Sequence, residues 1–63
     1  MVERFYLVEN NSALESLIEQ LDNYGIDYEF DALYPVPENY FEIHAWCYPH
    51  EIRDLENIFA PYV

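Results

Sequence analysis

Residues 10–25 read NNSALESLIEQLDNYG, and this stretch decides the fold because it predicts one amphipathic helix with two defined ends. Apolar side chains recur along it at i, i+3, i+4 and i+7, which is the spacing of a helix with one buried stripe. Ser12 and Glu15 fit a capping box at its start, and Gly25 suits the left-handed backbone of a helix C-terminus. We predict a helix over about residues 12–24, whose stripe consists of Ala13, Leu14, Leu17, Ile18 and Leu21.

Strands are predicted on both sides of this helix. Residues 3–9, ERFYLVE, are rich in β-forming side chains, and residues 26–34, IDYEFDALY, alternate apolar with acidic side chains. A loop is predicted at 35–39, PVPEN, because its two prolines cannot donate ladder hydrogen bonds. Residues 40–48, YFEIHAWCY, alternate again and predict a third strand.

A second helix completes the predicted order β-α-β-β-α. Pro49 suits its first turn and Pro61 stops it, and between them Ile52, Leu55, Ile58 and Phe59 keep helical spacing. We predict one acidic α+β domain over residues 1–63, in which a three-stranded antiparallel sheet carries two helices packed on one face. Strand three is expected between strands one and two. The alternative places strand one outside the hairpin, beside strand two.

The alternation within the strands assigns side chains to two faces of the sheet. The face expected under the helices consists of Phe5, Leu7, Ile26, Tyr28, Phe30, Phe41, Ile43 and Ala45. The face expected to stay uncovered consists of Tyr6, Asp27, Glu29, Asp31, Tyr40, Glu42, His44, Trp46 and Tyr48. This second face is acidic and aromatic at once, and Tyr and Trp are enriched where proteins bind one another.

The charge balance of the chain is extreme. Thirteen Asp and Glu residues stand against Arg4 and Arg53, lysine is absent, and the net charge is −11. Small soluble domains ordinarily carry a net charge of magnitude about 2–8. Because so many like charges oppose folding, we expect them to serve a basic partner. Adaptation to high salt is the alternative.

Composition also sets several classes of protein aside. Cys47 is the single cysteine, so no disulfide can form within the chain. The first residues, MVERFYLVENN, carry acids and no long apolar run, unlike a secretory signal. No apolar stretch approaches the roughly 18 residues of a membrane span, and the negative charge disfavours anionic membranes and direct binding of nucleic acid. We expect a cytoplasmic protein.

The acids of strand two suggest how a basic partner would be bound. Residues two apart on a strand are separated by roughly 6.6 Å, which is close to the spacing of successive phosphates in nucleic acid. Carboxylates placed in this way could occupy Arg and Lys sites that normally hold phosphates. For any single acid, a solvated surface position is the alternative. The predicted partner-binding residues are Asp27, Glu29, Asp31 and Glu42, with Tyr40 and Trp46 as apolar anchors and Glu15, Glu19 and Asp22 as further acids.

No motif predicts an enzyme, a metal site or a cofactor. His44, Cys47 and His50 fall within seven residues, but His44 and Cys47 should point to opposite faces of a strand, and C-x-x-H is half a zinc site. Cys47 is expected to be a buried, small apolar residue. With one glycine and no lysine, the chain has no phosphate loop, and it has no serine elbow. We therefore predict no catalytic residue.

The whole-chain charge, together with Asp27, Glu29, Asp31 and the helix acids, resembles that of DNA-mimic inhibitors deployed by phages. These include anti-CRISPR proteins and inhibitors of uracil-DNA glycosylase. The resemblance implies a non-enzymatic protein of antiviral defence and its evasion, acting in the host cytoplasm. It would occupy a nucleic-acid-binding groove, such as that of a CRISPR effector subunit, and block it stoichiometrically.

The layout is also similar to that of small bacterial regulatory domains of the ferredoxin-like type. Phe5–Leu7, Leu14–Leu21, Gly25–Ile26 and Ile52–Phe59 carry this likeness. It implies a regulatory or antitoxin-like interaction domain that uses Trp46 and the tyrosines. A monomer is expected, and a homodimer through sheet faces or edges is the alternative.

Overall fold

The computed structural model describes residues 1–31 and 36–63, and of Asp31 it describes the backbone. It is an α+β structure whose elements follow the predicted order. The strands are β1 (Val2–Glu9), β2 (Asp27–Asp31) and β3 (Tyr40–Cys47), and the helices are α1 (Ala13–Tyr24) and α2 (Ile52–Phe59). Single turns of 3-10 helix, Pro49–Glu51 and Ala60–Tyr62, flank α2.

The three strands form one antiparallel sheet with β3 in the centre. This confirms the expected order, and the alternative order is wrong. The register places His44 of β3 between Phe5 of β1 and Glu29 of β2. Strand two was predicted over 26–34, whereas β2 begins at Asp27, and residues 32–35 lie outside the described part of the chain. Strand three ends one residue earlier than predicted, which leaves Tyr48 beyond the sheet.

Helix α1 begins with a different cap from the one predicted. The Asn11 side chain accepts a hydrogen bond from the backbone N–H of Ala13 at 2.8 Å, whereas Ser12 has helical backbone angles and makes no capping bond. The cap therefore lies one residue earlier than the expected Ser12–Glu15 box, because Asn caps a helix as well as Ser does. The end is as predicted: Gly25 has φ 73°, and the Ile26 N–H donates to the Leu21 carbonyl at 3.0 Å.

Backbone groups are locally satisfied just before β3 and just before α2. Between β2 and β3, the Tyr40 N–H donates to the Pro37 carbonyl at 3.2 Å, and Asn39 has φ 68°. Before α2, the Glu51 carboxylate accepts the N–H of Tyr48 at 2.9 Å. The α-helix ends at Phe59, and Pro61 lies in the 3-10 turn that follows.

Both helices pack against the face of the sheet that carries Ile43, Ala45 and Cys47. The buried apolar side chains form one cluster, which draws on β1, β3, both helices and Ile26 just before β2, and the partly buried Tyr28 of β2 packs against it. Removing apolar area from water is the main driving force for such packing. The members of the cluster are Val8, Leu17, Leu21, Ile26, Ile43, Ala45, Cys47, Leu55, Ile58 and Phe59.

The predicted faces of strand β1 are reversed. Tyr6 lies on the helix side, where its ring stacks on Phe59 with centroids 3.8 Å apart, while Phe5 and Leu7 are 43% and 42% exposed on the opposite face. Tyr6 is opposite Ile43 of the core in the register, which fixes this orientation. Burial raises the pKa of the Tyr6 hydroxyl, and the Glu56 carboxylate adds to the effect.

Two further side chains expected under the helices are exposed. Phe30 and Phe41 meet edge to face, with centroids 5.4 Å apart, yet they are 52% and 38% exposed. The 12 residues of α1 extend about 18 Å and the eight residues of α2 about 12 Å, whereas the eight residues of β3 extend about 26 Å. The helices are therefore shorter than the sheet and leave part of it uncovered.

Candidate partner-binding face

The sheet face opposite the helices carries acidic and aromatic side chains in three aligned rows, and we name it the open face. Each row contains one residue from every strand, because each β3 residue in a row is paired with one residue of β1 and one residue of β2. Side chains directly opposite one another on a sheet interact. The rows, written from β1 through β3 to β2, are Glu3–Trp46–Asp27, Phe5–His44–Glu29 and Leu7–Glu42–Asp31.

The β2 side of the open face is acidic. Asp27 and Glu29 are exposed and follow each other on the same side of the strand, as the alternation predicts. Asp31 continues the strand and pairs with Glu42 in register, while its side chain lies outside the described part of the structure. Asp27 and Glu29 are thus placed where a partner could contact both at once.

Three adjacent aromatic side chains, one from β1 and two from β3, lie on the open face. The rings of Phe5 and His44 stack with centroids 4.1 Å apart, and those of His44 and Trp46 are 3.9 Å apart. Glu3 fixes one end, because its Oε1 accepts a hydrogen bond from Trp46 Nε1 at 3.1 Å and lies 3.5 Å from His44 Nε2. The predicted anchor Trp46 is therefore held in place by its neighbours.

Glu42 lies in the middle of the open face but differs from the exposed contact residue that we predicted. Only 8% of its surface is exposed, and its Oε1 has no hydrogen-bond partner among the described residues. A central strand has neighbours on both sides, which accounts for the burial of Glu42 and also of His44. A buried carboxylate oxygen without a donor is energetically costly.

The aromatic residues at the two ends of β3 differ in position. Tyr40 is paired with Glu9 and is partly exposed on the open face, as predicted. Tyr48, expected on the same face, follows the strand and stacks on His50 with centroids 5.8 Å apart.

A cleft of about 270 Å³ lies at the Tyr40 end of the sheet, between Leu7 and Glu9 of β1 and the C-terminal residues Pro61 and Val63. Small-molecule sites commonly occupy about 300–1,000 Å³. This cleft is below that range, so the open face is the stronger candidate site.

The predicted acids of α1 lie on the other side of the molecule. Glu15, Glu19 and Asp22 are exposed on a helix that packs against the opposite face of the sheet. Asp22 also lies near Tyr28, whose hydroxyl pKa is raised by burial and further by the Asp22 charge. One flat partner surface cannot contact these acids together with Asp27 and Glu29.

The three candidate metal ligands are also separated. Cys47 is buried in the core, and burial raises the pKa of its thiol, while His44 lies on the open face. The predicted opposite orientation of these two side chains is thus confirmed. Among the side chains described, those of residues 1–30 and 36–63, no group of three His, Cys, Asp or Glu is arranged to hold a metal ion.

Sequence reasoning missed Phe5 and Leu7 as residues of the open face. Strand β1 is apolar on both sides, so alternation by itself allows either orientation. The available signal was the number of apolar residues on each side: Val2, Tyr6 and Val8 share one face, against Phe5 and Leu7 on the other.

Comparison with models of protein families, with curated proteins and with solved structures finds no match for this chain. None of the helices in the described ranges is long and apolar enough to cross a membrane.

Proposed function

We propose that this chain is a non-enzymatic inhibitor that binds a basic nucleic-acid-binding protein in place of its nucleic acid. The observation that carries the proposal is the side-by-side exposure of Asp27 and Glu29 on the open face. Their carboxylates offer a partner's Arg and Lys side chains the same charge-assisted hydrogen bonds as phosphate oxygens do.

The charge of the whole chain supports the same partner class. A net charge of −11 attracts a basic groove over distances of about one Debye length, near 8 Å at physiological ionic strength, and speeds association. Binding should therefore weaken as salt is added. A CRISPR effector with a basic DNA-binding groove is one partner of this class, and the proposal places the protein in the cytoplasm, where such effectors act.

The apolar part of the open face supports binding to a protein. Phe5 and Leu7 remain about two-fifths exposed beside the acids. Protein interfaces combine an apolar centre with a polar rim. On the open face, the β1 side carries the exposed apolar side chains and the β2 side carries the exposed acids Asp27 and Glu29.

The test is capture of bacterial proteins on the immobilised chain, followed by elution with duplex DNA. We compare the natural protein with Asp27→Asn/Glu29→Gln on the open face and Glu15→Gln/Glu19→Gln on α1, since both double variants lose the same charge. Nucleic-acid-binding proteins should be retained by the natural chain and the α1 variant, displaced by DNA, and lost from the open-face variant.

A purified captured protein should then lose its nucleic-acid binding when one equivalent of the chain is added. Retention by the open-face variant at the level of the natural chain, or captured proteins that ignore DNA, would contradict the proposal.

The exposure of Phe5 and Leu7 favours a second candidate, a regulatory or antitoxin-like interaction domain that binds through its aromatic side. In that case, Phe5→Ala and Trp46→Ala weaken binding of the captured protein, whereas Asp27→Asn/Glu29→Gln leaves it unchanged. The two candidates are thus distinguished by Asp27→Asn/Glu29→Gln, which abolishes binding in the first and leaves it unchanged in the second.

A further inference from the structure

Glu42 is a buried acid on the open face whose carboxylate has an unsatisfied oxygen among the described residues. Only 8% of the surface of this residue is exposed, and its Oε1 has no hydrogen-bond partner in the described part of the chain. Water cannot replace a donor at an atom that solvent does not reach. A donor supplied by a partner would therefore satisfy an oxygen that the described residues leave without one.

The surroundings of Glu42 indicate that this donor is cationic. Glu29 is diagonal to it across the β2–β3 pair, and diagonal neighbours on a sheet lie within reach of a common long side chain. The chain's two basic residues are elsewhere: Arg4 is opposite the core residue Ala45, on the helix side, and Arg53 is on α2. The carboxylates of Glu29 and Glu42 thus have no Arg or Lys of this chain on their face.

The aromatic side chains beside these acids favour arginine over lysine as the cation. Phe5 stacks on His44, and 43% of its surface remains exposed. A guanidinium is planar, stacks on aromatic rings and donates in two parallel hydrogen bonds to a carboxylate, while an ammonium is a strongly hydrated point charge. Phe5 is diagonal to Glu42 across the β1–β3 pair, so a flat ring lies near a carboxylate oxygen that has no donor among the described residues, and this arrangement suits arginine.

We propose that the open face binds an arginine side chain of the partner, with its guanidinium donating to Glu42 and Glu29 and lying against Phe5. Leu7, the β1 neighbour of Glu42, is 42% exposed and can turn aside to admit it. This inference rests on the proposed binding of a basic protein and adds that the decisive contact is to arginine. Asp27, further along the open face, then contributes only long-range electrostatic attraction to the basic partner.

The test is a titration of the isotope-labelled chain with capped hexa-arginine and, separately, with capped hexalysine, followed by the NMR signals of the backbone and of the Trp46 indole. At about 0.15 M salt, where exposed charges are largely screened, hexa-arginine should bind about tenfold more tightly, which corresponds to about 1.4 kcal/mol. Its largest shifts should occur at Glu42, Glu29 and Phe5.

Variants assign that preference to its contacts. Glu42→Gln should remove the preference for arginine, whereas Glu15→Gln, which deletes the same charge from α1, should weaken both peptides equally and only slightly. Phe5→Leu keeps an apolar side chain on an exposed position and should also reduce the preference. Circular dichroism shows whether Glu42→Gln disturbs the sheet. If it does, Phe5→Leu is the variant that tests the arginine site.

The outcomes separate this inference from the proposed function. Equal binding of both peptides with shifts at Asp27 and Glu29, or equal effects of Glu42→Gln and Glu15→Gln, overturns the arginine site and leaves the binding of a basic protein intact. Absence of any shift on the open face with either peptide overturns both.

Discussion

At the residue scale, Asn39 has an unusual backbone angle in the turn immediately before β3. Its φ of 68° lies in the left-handed region, and its carbonyl accepts the N–H of Asn10 at 2.8 Å. Asn tolerates this conformation better than other residues that carry a Cβ. The position thus joins the turn before β3 to the chain that leaves β1.

We expect Asn39→Ala to lower the free energy of unfolding by about 1 kcal/mol, because Ala is strained at positive φ. Asn39→Gly should keep the stability within about 0.5 kcal/mol, since Gly adopts this angle without a steric cost. Urea unfolding followed by Trp46 fluorescence measures both. Equal stability of the natural protein and Asn39→Ala would show that the turn tolerates other conformations.

Cys47 links the core to the pH dependence of stability. Burial raises the pKa of its thiol above the ordinary value of 9.0. The folded protein therefore keeps this proton at a pH where the unfolded chain has lost it, so the contribution is complete below about pH 9 and is lost as pH rises further. The hydroxyl pKa values of Tyr6 and Tyr28 are also raised, from 10.0, and act in the same direction at higher pH.

We expect the free energy of unfolding to begin falling above about pH 9, and to fall less steeply between about pH 9 and 10 in Cys47→Ala. Denaturant titrations at a series of pH values measure the two slopes. Identical slopes, or stability that rises with pH in this range, would contradict the role given to Cys47. The thiol should also react with an aromatic disulfide reagent only as fast as the core opens.

At the scale of the element, α1 depends on a cap that its sequence pattern did not single out. The Asn11 side chain, itself held by a 3.1 Å hydrogen bond to Glu9, accepts the Ala13 N–H. The three residues before α1, Asn10–Ser12, all have side chains of the types preferred at a helix N-cap. Which of them acts is decided by where β1 ends.

We expect Asn11→Ala to lower the free energy of unfolding by about 1 kcal/mol, the usual cost of losing a helix N-cap. Ser12→Ala is the matched control and should change it by less than about 0.5 kcal/mol, the usual range for surface substitutions. Thermal and urea unfolding of the two variants measure the difference. A larger loss for Ser12→Ala would restore the capping box that the sequence suggests.

At the scale of the whole molecule, the excess of negative charge opposes folding. Thirteen acidic residues on a 63-residue chain repel one another in the folded state. They lie on all three strands, on both helices and in the turns before β3 and α2. Screening of this repulsion should therefore stabilise the fold.

We expect the free energy of unfolding to rise as NaCl increases from about 0.01 M to about 1 M, because the Debye length shortens from about 30 Å to about 3 Å. Most of the rise should occur below about 0.1 M if screening is the cause, whereas general salting-out continues at higher concentrations. Constant stability over this range would show that the repulsion is negligible. A chain that is unfolded at the low end would support adaptation to high salt instead.

The sequence alone determined the elements and their order, because periodicity and local signals act over a few residues. The helical stripe, Gly25 at the end of α1 and the acidic alternation of β2 each gave a correct prediction. Hence the α+β class, the central position of β3 and the placement of Asp27 and Glu29 on the open face could be predicted.

Only the tertiary structure decided which side of β1 is buried and how deep each open-face residue lies. Tyr6 rather than Phe5 enters the core because Phe59 stacks on it, a contact between residues 53 positions apart in sequence. Glu42 is buried because its strand is central and has a neighbour on each side. Orientation of an apolar strand and burial within a sheet depend on such distant contacts, which the local pattern of side chains does not contain.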